Sequence, residues 1–249
     1  MKIARTLALL ALAGCSLLRP NPLDEKRGAV VLVFDLRGNL DVREMRRMLS
    51  ACDVRATFFA AGRITRGTAA MLKDLSADGH DIGLSGLKGF NPQTYVSTYG
   101  LQKYFQDEVV TQVLDAERQN LNLRHFLLHY PTKMKAEALK LPPFLVSKGF
   151  LRVVDVMPEY VKPEPVPASR LSARVVHAYQ LTEEAFDRTQ IASLAKRNEV
   201  LVVAPDLKIL PELIKEAQTQ GVPFATLADL RQTRSESDRE HARTKEIAH

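Results

Sequence analysis

Short apolar runs alternate along this chain with longer segments in which apolar residues recur every three or four positions. The run Ala29–Asp35 is continuous and rich in valine, which is typical of a strand buried on both faces. Asp41 can cap a helix whose apolar positions between Val42 and Leu49 lie on one side. The chain therefore opens its folded part with a strand followed by a helix.

The same alternation continues to residue 227. Further strands are predicted at 54–60, 81–85, 126–130, 151–156, 200–204 and 223–227, and further helices at 68–77, 94–120, 135–148, 182–197 and 210–220. We expect the helix at 94–120 to break near Gly100, the one at 135–148 to be interrupted at Pro142 and Pro143, and the last to end at Gly221. Four prolines within 158–167 predict an extended loop. The repeated βα order predicts a mostly parallel sheet with helices outside it.

The first fourteen residues have the pattern of a secretory signal. Lys2 and Arg5 precede an apolar run at 7–13, which is too short to span a membrane. The sequence LAGC at 12–15 resembles the lipobox of bacterial lipoproteins, in which the cysteine becomes the lipid-bearing first residue. An ordinary cleaved signal with a coincidental cysteine is the alternative.

Lipidation of Cys15 would anchor the protein to a membrane of the cell envelope, since several acyl chains on one residue bind stably. Ser16 suits export to the periplasmic face of an outer membrane. With Cys15 acylated, Cys52 has no cysteine to pair with, and we expect it to be a small buried apolar residue.

Length and charge set the remaining organisation. We divide the chain into a signal (1–14), a linker (15–28), one domain (29–230) and a charged tail (231–249). The net charge of +6 falls to +4 when Lys2 and Arg5 are removed with the signal. The sequence contains no long run of like charges interleaved with aromatics, so we expect no nucleic-acid partner.

Five sequence motifs carry a resemblance to a known family. VFDLR at 33–37 and ATFF at 56–59 are followed by GHDIGLSGLKG at 79–89, HYPTK at 129–133 and VAPD at 203–206. They resemble the TFDDG, ATFF, GHEIGNHTxxH, RxPxG and LLHD motifs of the polysaccharide deacetylase (NodB-homology) family. The resemblance extends from about residue 29 to residue 230. It implies an α/β fold, the distorted (β/α)7 barrel of that family, with the site at the carboxyl ends of the strands.

The residues that act in the family are largely replaced here. Asp35 matches the general base, but Leu36 stands where the family has a metal-binding aspartate. Ser85 and Gly89 stand where it has two metal-binding histidines. A catalytic zinc normally needs three protein ligands, so the resemblance implies that the ancestral divalent metal is lost and that the protein has no cofactor.

The other two motifs are changed as well. His129 stands in place of the arginine that orients the base, and Pro205 in place of the histidine that acts as general acid, with Asp206 retained beside it. Of these functional positions, only Asp35 has the same residue as the family. We therefore expect a protein that is not an enzyme.

Three functions remain open. The first is carbohydrate binding at the barrel rim, for which the proposed contacts are Asp35, Arg37, Ser85, His129, Tyr130 and Asp206. Because the chain has no tryptophan, Tyr95, Tyr99 and Tyr130 would have to stack against sugar rings. The second is a scaffold that binds an envelope protein through the tail at 231–249.

The third function is a hydrolase of N-acetylated glycan with a rebuilt site. His125 and His129 are four residues apart and could share one strand face, together with Asp35 or Asp206, around a relocated metal. His125 could equally precede the strand in solvent. A serine nucleophile at Ser85 is not indicated, because LSGLKG is not a GxSxG elbow.

Overall fold

The computed structural model describes residues 28–37, 41–129, 136, 138–158, 161–167, 174–194 and 199–230. The expectations for the signal at 1–14, Cys15, the linker before Gly28, Tyr130 and the tail at 231–249 lie outside these residues.

The described chain alternates strands and helices in the predicted order, with two further strands, at Val166–Pro167 and Val175–Leu181, that were not predicted. The strands are β1 (Ala29–Asp35), β2 (Thr57–Ala60), β3 (Asp81–Leu84), β4 (His125–His129), β5 (Arg152–Met157), β6 (Val166–Pro167), β7 (Val175–Leu181), β8 (Glu199–Pro205) and β9 (Phe224–Ala225). The α-helices are α1 (Val42–Ala51), α2 (Arg66–Ala77), α3 (Pro92–Tyr99), α4 (Leu101–Tyr104), α5 (Thr111–Arg118), α6 (Leu141–Ser147), α7 (Arg188–Leu194) and α8 (Leu210–Thr219). A π-helix at Phe105–Val110 joins α4 to α5, and a 3₁₀ turn at Ala138–Lys140 precedes α6.

Seven parallel strands of the described chain close into a barrel. They follow the order β1, β2, β3, β4, β5, β7 and β8, and β8 returns to β1 with Ala29 opposite Val200. The two-residue strand β9 adds to the start of β1, and β6 pairs antiparallel with β8. The (β/α)7 barrel implied by the sequence motifs is confirmed.

Alternate residues of the strands face two separate hydrophobic layers. In β1, Val30, Leu32 and Phe34 pack outward against helix residues, whereas Val31 and Val33 pack inward with Phe59 and other strand residues. Asp35 continues the inward-facing series at the carboxyl end of β1. Among the described residues, no helix is long and apolar enough to span a membrane.

Local signals explain the first helix. Asp41 Oδ1 accepts hydrogen bonds from the backbone N–H groups of Arg43 and Glu44 at 3.0 and 3.1 Å, which confirms Asp41 as the N-cap of α1. Met45 and Leu49 are buried on its inner side. Cys52 lies at the C-terminal end of the helix and, partly buried, packs against the outer hydrophobic layer.

Several predicted bounds were wrong. Strand β7 falls in a segment for which no strand was predicted, and the helix expected at 182–197 is reduced, within the described residues, to Arg188–Leu194. The break at Gly100 is confirmed, but Pro142 and Pro143 occupy the first turn of α6 and begin that helix instead of interrupting one. β6 lies inside the predicted loop.

Candidate functional site at the carboxyl rim of the barrel

Three neighbouring strands bring polar side chains together at the carboxyl end of the barrel. Asp35 ends β1, Ser85 directly follows β3, and His129 ends β4. Each has the same inward orientation as the residue two positions earlier in its strand, so all three side chains face the mouth of the barrel. The sequence placed these three residues at one rim, and the structure brings them into contact.

Asp35 is the centre of this group, with only 13% of its side chain exposed. Its Oδ1 accepts hydrogen bonds from Ser85 Oγ and from the backbone N–H of Arg37, both at 2.9 Å. Its Oδ2 lies 3.0 Å from His129 Nε2 and 3.7 Å from Arg37 Nε. His129 Nε2 makes no well-aligned N–H···O bond, so its contact with Asp35 is a close approach of the two side chains. Both carboxylate oxygens are therefore engaged.

These contacts keep Asp35 ionised. Burial opposes its ionisation, but the contact and charge of His129, followed by the charge of Arg37 and the Ser85 hydrogen bond, outweigh burial. The net result is a pKa of Asp35 below its ordinary value. The residue that replaces the family's orienting arginine, His129, thus still touches the carboxylate that it would orient.

The loop at 85–89 is fixed from the other side by two polar residues that sequence reasoning missed. Fully buried Glu108 accepts backbone N–H bonds from Lys88 and Gly89 at 2.9–3.1 Å. Fully buried Gln112 accepts from the Gly86 N–H at 3.1 Å. A signal was present in the sequence, because Glu108 and Gln112 follow Tyr104 at intervals of four, on one helix face.

Arg37 completes the group from above. Its guanidinium donates a hydrogen bond to the Ser85 carbonyl oxygen, and 38% of its side chain is exposed. His129 is exposed to a similar extent, at 39%. The Arg37 guanidinium is thus a permanent positive charge at the solvent-facing part of the rim, while the carboxylates of Asp35 and Glu108 are turned inward.

The remaining predicted rim residues are Asp206 and Tyr130. Asp206 follows β8 and is exposed, and Gln180 Nε2 donates to its Oδ1 at 3.3 Å, so its described contact is with β7 and not with Asp35. Tyr130 lies outside the described residues. Leu36 packs into the outer hydrophobic layer, which makes it part of the core instead of the site.

The relocated metal site is not assembled. His125 and His129 do share the inner face of β4, but they occupy its opposite ends, about 13 Å apart at the rise of a strand. His125 is buried, not solvated as the alternative expected, and its Nε2 lies 3.3 Å from Asp81 Oδ2 at the amino ends of the strands.

The rim does not fit a metal that needs three protein donors. Within the described part of the chain, no three His, Cys, Asp or Glu side chains are close enough to hold one ion. Asp35 and His129 supply two donors, and the third near neighbour is the guanidinium of Arg37, which cannot be a ligand.

The rim is not a serine nucleophile site either. Ser85 Oγ donates to Asp35 and not to His129, so the order of contacts differs from that of a serine, histidine and aspartate triad. The hydroxyl has no imidazole base in contact with it among the described residues.

An aromatic row begins directly after the loop. The rings of Phe90 and Tyr95 are nearly parallel, with centroids 4.8 Å apart, and Tyr99 continues the row at 4.8 Å from Tyr95. Tyr99 is 62% exposed and Phe90 is 37% exposed. Lys88 Nζ lies 5.3 Å from the Phe90 centroid, so a cation stands beside the row.

Comparison with known proteins finds similar structures but no similar sequence. No protein-family profile matches the chain, and no curated protein matches it in sequence. Peptidoglycan deacetylase PdaC from Bacillus subtilis superposes with a TM-score of 0.56 at 13% identity, covering 90% of this chain and 99% of that chain. The Xyl-CE4 domain of a xylanase from the hindgut metagenome of Trinervitermes trinervoides gives 0.51 at 12% identity, covering 84% and 92%.

A mutant of a CE4 family pseudoenzyme is also similar. It gives a TM-score of 0.51 at 16% identity, covering 86% of this chain and 71% of that chain. At these identities the likeness concerns the fold. The closed parallel barrel of this protein is the (β/α)7 fold of the CE4, NodB-like polysaccharide deacetylases.

Proposed function

We propose that this protein is a non-catalytic, carbohydrate-binding lipoprotein of the cell envelope, built on a degenerate polysaccharide deacetylase barrel. The observation that carries the proposal is the state of Asp35. Its two oxygens are engaged by Ser85, Arg37 and His129, and no third metal donor stands beside it among the described residues. Hydrolysis of an N-acetyl group by the family's route needs a bound metal to activate water.

Carbohydrate binding is supported by the surface around that group. Arg37 and His129 have partly exposed polar side chains at the barrel mouth, and the row of Phe90, Tyr95 and Tyr99 adjoins it. Sugar rings stack on aromatic faces while their hydroxyl groups bond to charged and polar side chains. Two similar structures are of deacetylases named for peptidoglycan, so peptidoglycan-type glycan is the ligand to test first.

The experiment uses the chain without its signal, with Cys15 replaced by serine. Binding to N-acetylated chito-oligosaccharide and to purified peptidoglycan would be measured by calorimetry and by co-sedimentation. The variants are Tyr99→Ala and Phe90→Ala, with Leu114→Ala as a matched control, since Leu114 is an exposed apolar residue on a different helix, α5.

Glycan binding that both aromatic variants weaken, by about tenfold each, supports the proposal. Absence of binding to either glycan refutes it and leaves the scaffold hypothesis, in which deletion of 231–249 releases a protein partner. Release of acetate that a chelator abolishes would establish the rebuilt hydrolase instead.

The lipid anchor is tested separately. Full-length protein labelled with radioactive palmitate should fractionate with membranes, and Cys15→Ser should abolish both the label and the fractionation. Cys52→Ser is the control, and it should leave both unchanged.

A further inference from the structure

Arg37 stands at the position of the final glycine in the TFDDG motif that VFDLR resembles, so a large cation has been added where the family has no side chain. The Arg37 side chain is 38% exposed, but its guanidinium folds back onto the protein. It turns over the rim, donates to the Ser85 carbonyl oxygen and approaches Asp35 Oδ2 to 3.7 Å. It therefore joins the strand end that would supply the base to the loop that would supply the metal's histidines.

Gly89 lies against the other side of the guanidinium. A Cβ added to Gly89 would lie 2.8 Å from Arg37 Nη1 and 3.2 Å from Cζ, closer than van der Waals contact allows. Gly89 also has a φ of +74°, a backbone conformation that disfavours other residues. The space that a side chain at the second histidine position would enter is thus occupied by the Arg37 side chain.

The loop itself is hydrogen-bonded at every backbone N–H from 85 to 89. Ser85 N donates to the Ala60 carbonyl at 2.8 Å and Leu87 N to the Glu108 carbonyl at 2.9 Å. The other three amides bond to Gln112 and to the Glu108 carboxylate, as described above. Arg37 and Glu108 also both act on the buried phenol of Tyr104, whose pKa is raised chiefly by burial and then by Glu108, and lowered by Arg37. The surroundings of the loop thus combine one permanent positive charge, Arg37 beside Asp35, with the buried carboxylate of Glu108.

We propose that the Arg37 guanidinium is a built-in replacement for the divalent metal: it fills the space beside Asp35 and Gly89 and holds the 85–89 loop without any bound ion. A guanidinium offers several donors in a rigid plane and stays protonated, so it can serve as a permanent structural cation. The inference does not depend on glycan binding, since a protein that binds no glycan would still need this loop held.

Hydrogen exchange of the five loop amides tests the structural role. Arg37→Ala should accelerate their exchange by about tenfold or more, because a hydrogen bond to a charged donor is lost together with an ion pair. Arg47→Ala, an exposed arginine on α1, is the matched control and should change nothing. Millimolar methylguanidinium should restore protection in Arg37→Ala, whereas equal potassium chloride should not.

Zinc titration tests the exclusion of metal. Leu36→Asp, Ser85→His and Gly89→His together restore the family's ligand types, and calorimetry would compare this variant with one that also carries Arg37→Gly. We expect zinc to bind at least about tenfold tighter when Arg37 is removed.

Three results would overturn the proposal. One is loop exchange that does not change in Arg37→Ala. Another is equal zinc binding by both ligand-restored variants, since Arg37 would then not be the obstacle. The third is stoichiometric zinc in the native protein. Loss of glycan binding in any of these variants would concern the proposed function alone.

Discussion

Asp35 combines burial with three stabilising neighbours, and the balance between them can be measured directly. Its pKa is lowered, so its contribution to stability is fully present above the unfolded value of 3.8 and is lost as pH falls through the lower folded value. A carboxylate that stays ionised in this way suits a structural anchor for Arg37 better than it suits a base that must accept a proton.

We therefore predict that His129→Gln will raise the pKa of Asp35, because the largest stabilising neighbour is removed while burial remains. Carbon-detected NMR titration of the carboxyl group measures the shift. His177→Gln, on the outer face of β7, is the matched control. A midpoint equal to that of the wild type in His129→Gln would show that the imidazole does not stabilise the charge.

At Asp81, at the amino ends of the strands, burial outweighs the stabilising neighbours and the pKa is raised instead of lowered. Burial raises its pKa to about 6 despite hydrogen bonds from the backbone of Ile82 and Ala228, and His125 Nε2 stands 3.3 Å away. The folded state thus holds a proton on Asp81 more tightly than the unfolded state does. Its contribution to stability is complete below 3.8 and is lost as pH rises through about 6.

Asp81→Asn should remove this part of the pH dependence. Urea unfolding between pH 4 and pH 8 should show the wild type losing up to about 3 kcal/mol that the variant does not lose. Asp74→Asn, on the exposed side of α2, is the control. Parallel pH profiles for wild type and Asp81→Asn would contradict the assignment.

At the scale of elements, the helical segment from α4 to α5 acts as a clamp on the rim. Its π-helix and the start of α5 present Glu108 and Gln112 to the 85–89 loop. Gln112 bonds to Gly86 N and donates to the carbonyl oxygens of Ala60, Gly62 and Gly86 at 2.9, 2.9 and 3.3 Å. One amide side chain thus joins the ends of β2 and β3.

Gln112→Ala should destabilise the protein by roughly 2–4 kcal/mol, since it leaves several buried backbone groups without partners. Chemical denaturation measures the loss, and hydrogen exchange should place it at Gly86. The control is Gln106→Ala, at an exposed position of the π-helix. Equal losses of unfolding free energy in Gln112→Ala and Gln106→Ala would show that the Gln112 hydrogen bonds do not stabilise the rim.

How far the sequence predicts these elements depends on how each is buried. β1 was predicted to the residue because both of its faces are apolar. β7 was missed because exposed His177 and half-buried Gln180 interrupt its apolar positions, and because proline-rich sequence precedes it. Pro142 and Pro143 were misread because a proline in a first turn and a proline that breaks a helix look alike in sequence.

The candidate site could likewise be predicted only in part from the sequence. The motifs placed Asp35, Ser85 and His129 at one rim because parallel strands share a carboxyl edge. They could not show that Arg37 folds back onto Ser85, since that contact joins residues 48 apart in the chain. Nor could spacing show that His125 and His129, on one strand face, contact different carboxylates at opposite ends of the barrel.

At the scale of the whole molecule, the barrel interior determines where a ligand can bind. Its inner layer consists of small aliphatic side chains and Phe59, which is fully buried. Gly83, two residues before Ser85, faces the Phe59 ring so closely that an added Cβ would lie 2.6 Å from Cδ1 and 2.8 Å from the His125 carbonyl oxygen. The floor beneath Asp35 is therefore filled, and a glycan chain must bind across the mouth.

Gly83→Ala should accordingly cost about 3 kcal/mol, measured by urea unfolding, because the interior has no room for one methyl group. Phe59→Leu should relieve part of this cost, so that the double variant is about 1 kcal/mol more stable than the sum of the single effects. The relief stays partial because the His125 carbonyl oxygen cannot move away as a side chain can. Gly67→Ala, whose added Cβ meets nothing closer than 3.9 Å, should be neutral or slightly stabilising. Full tolerance of Gly83→Ala would mean that space remains under the rim, and a ligand group could then enter the barrel beside Asp35 instead of lying across it.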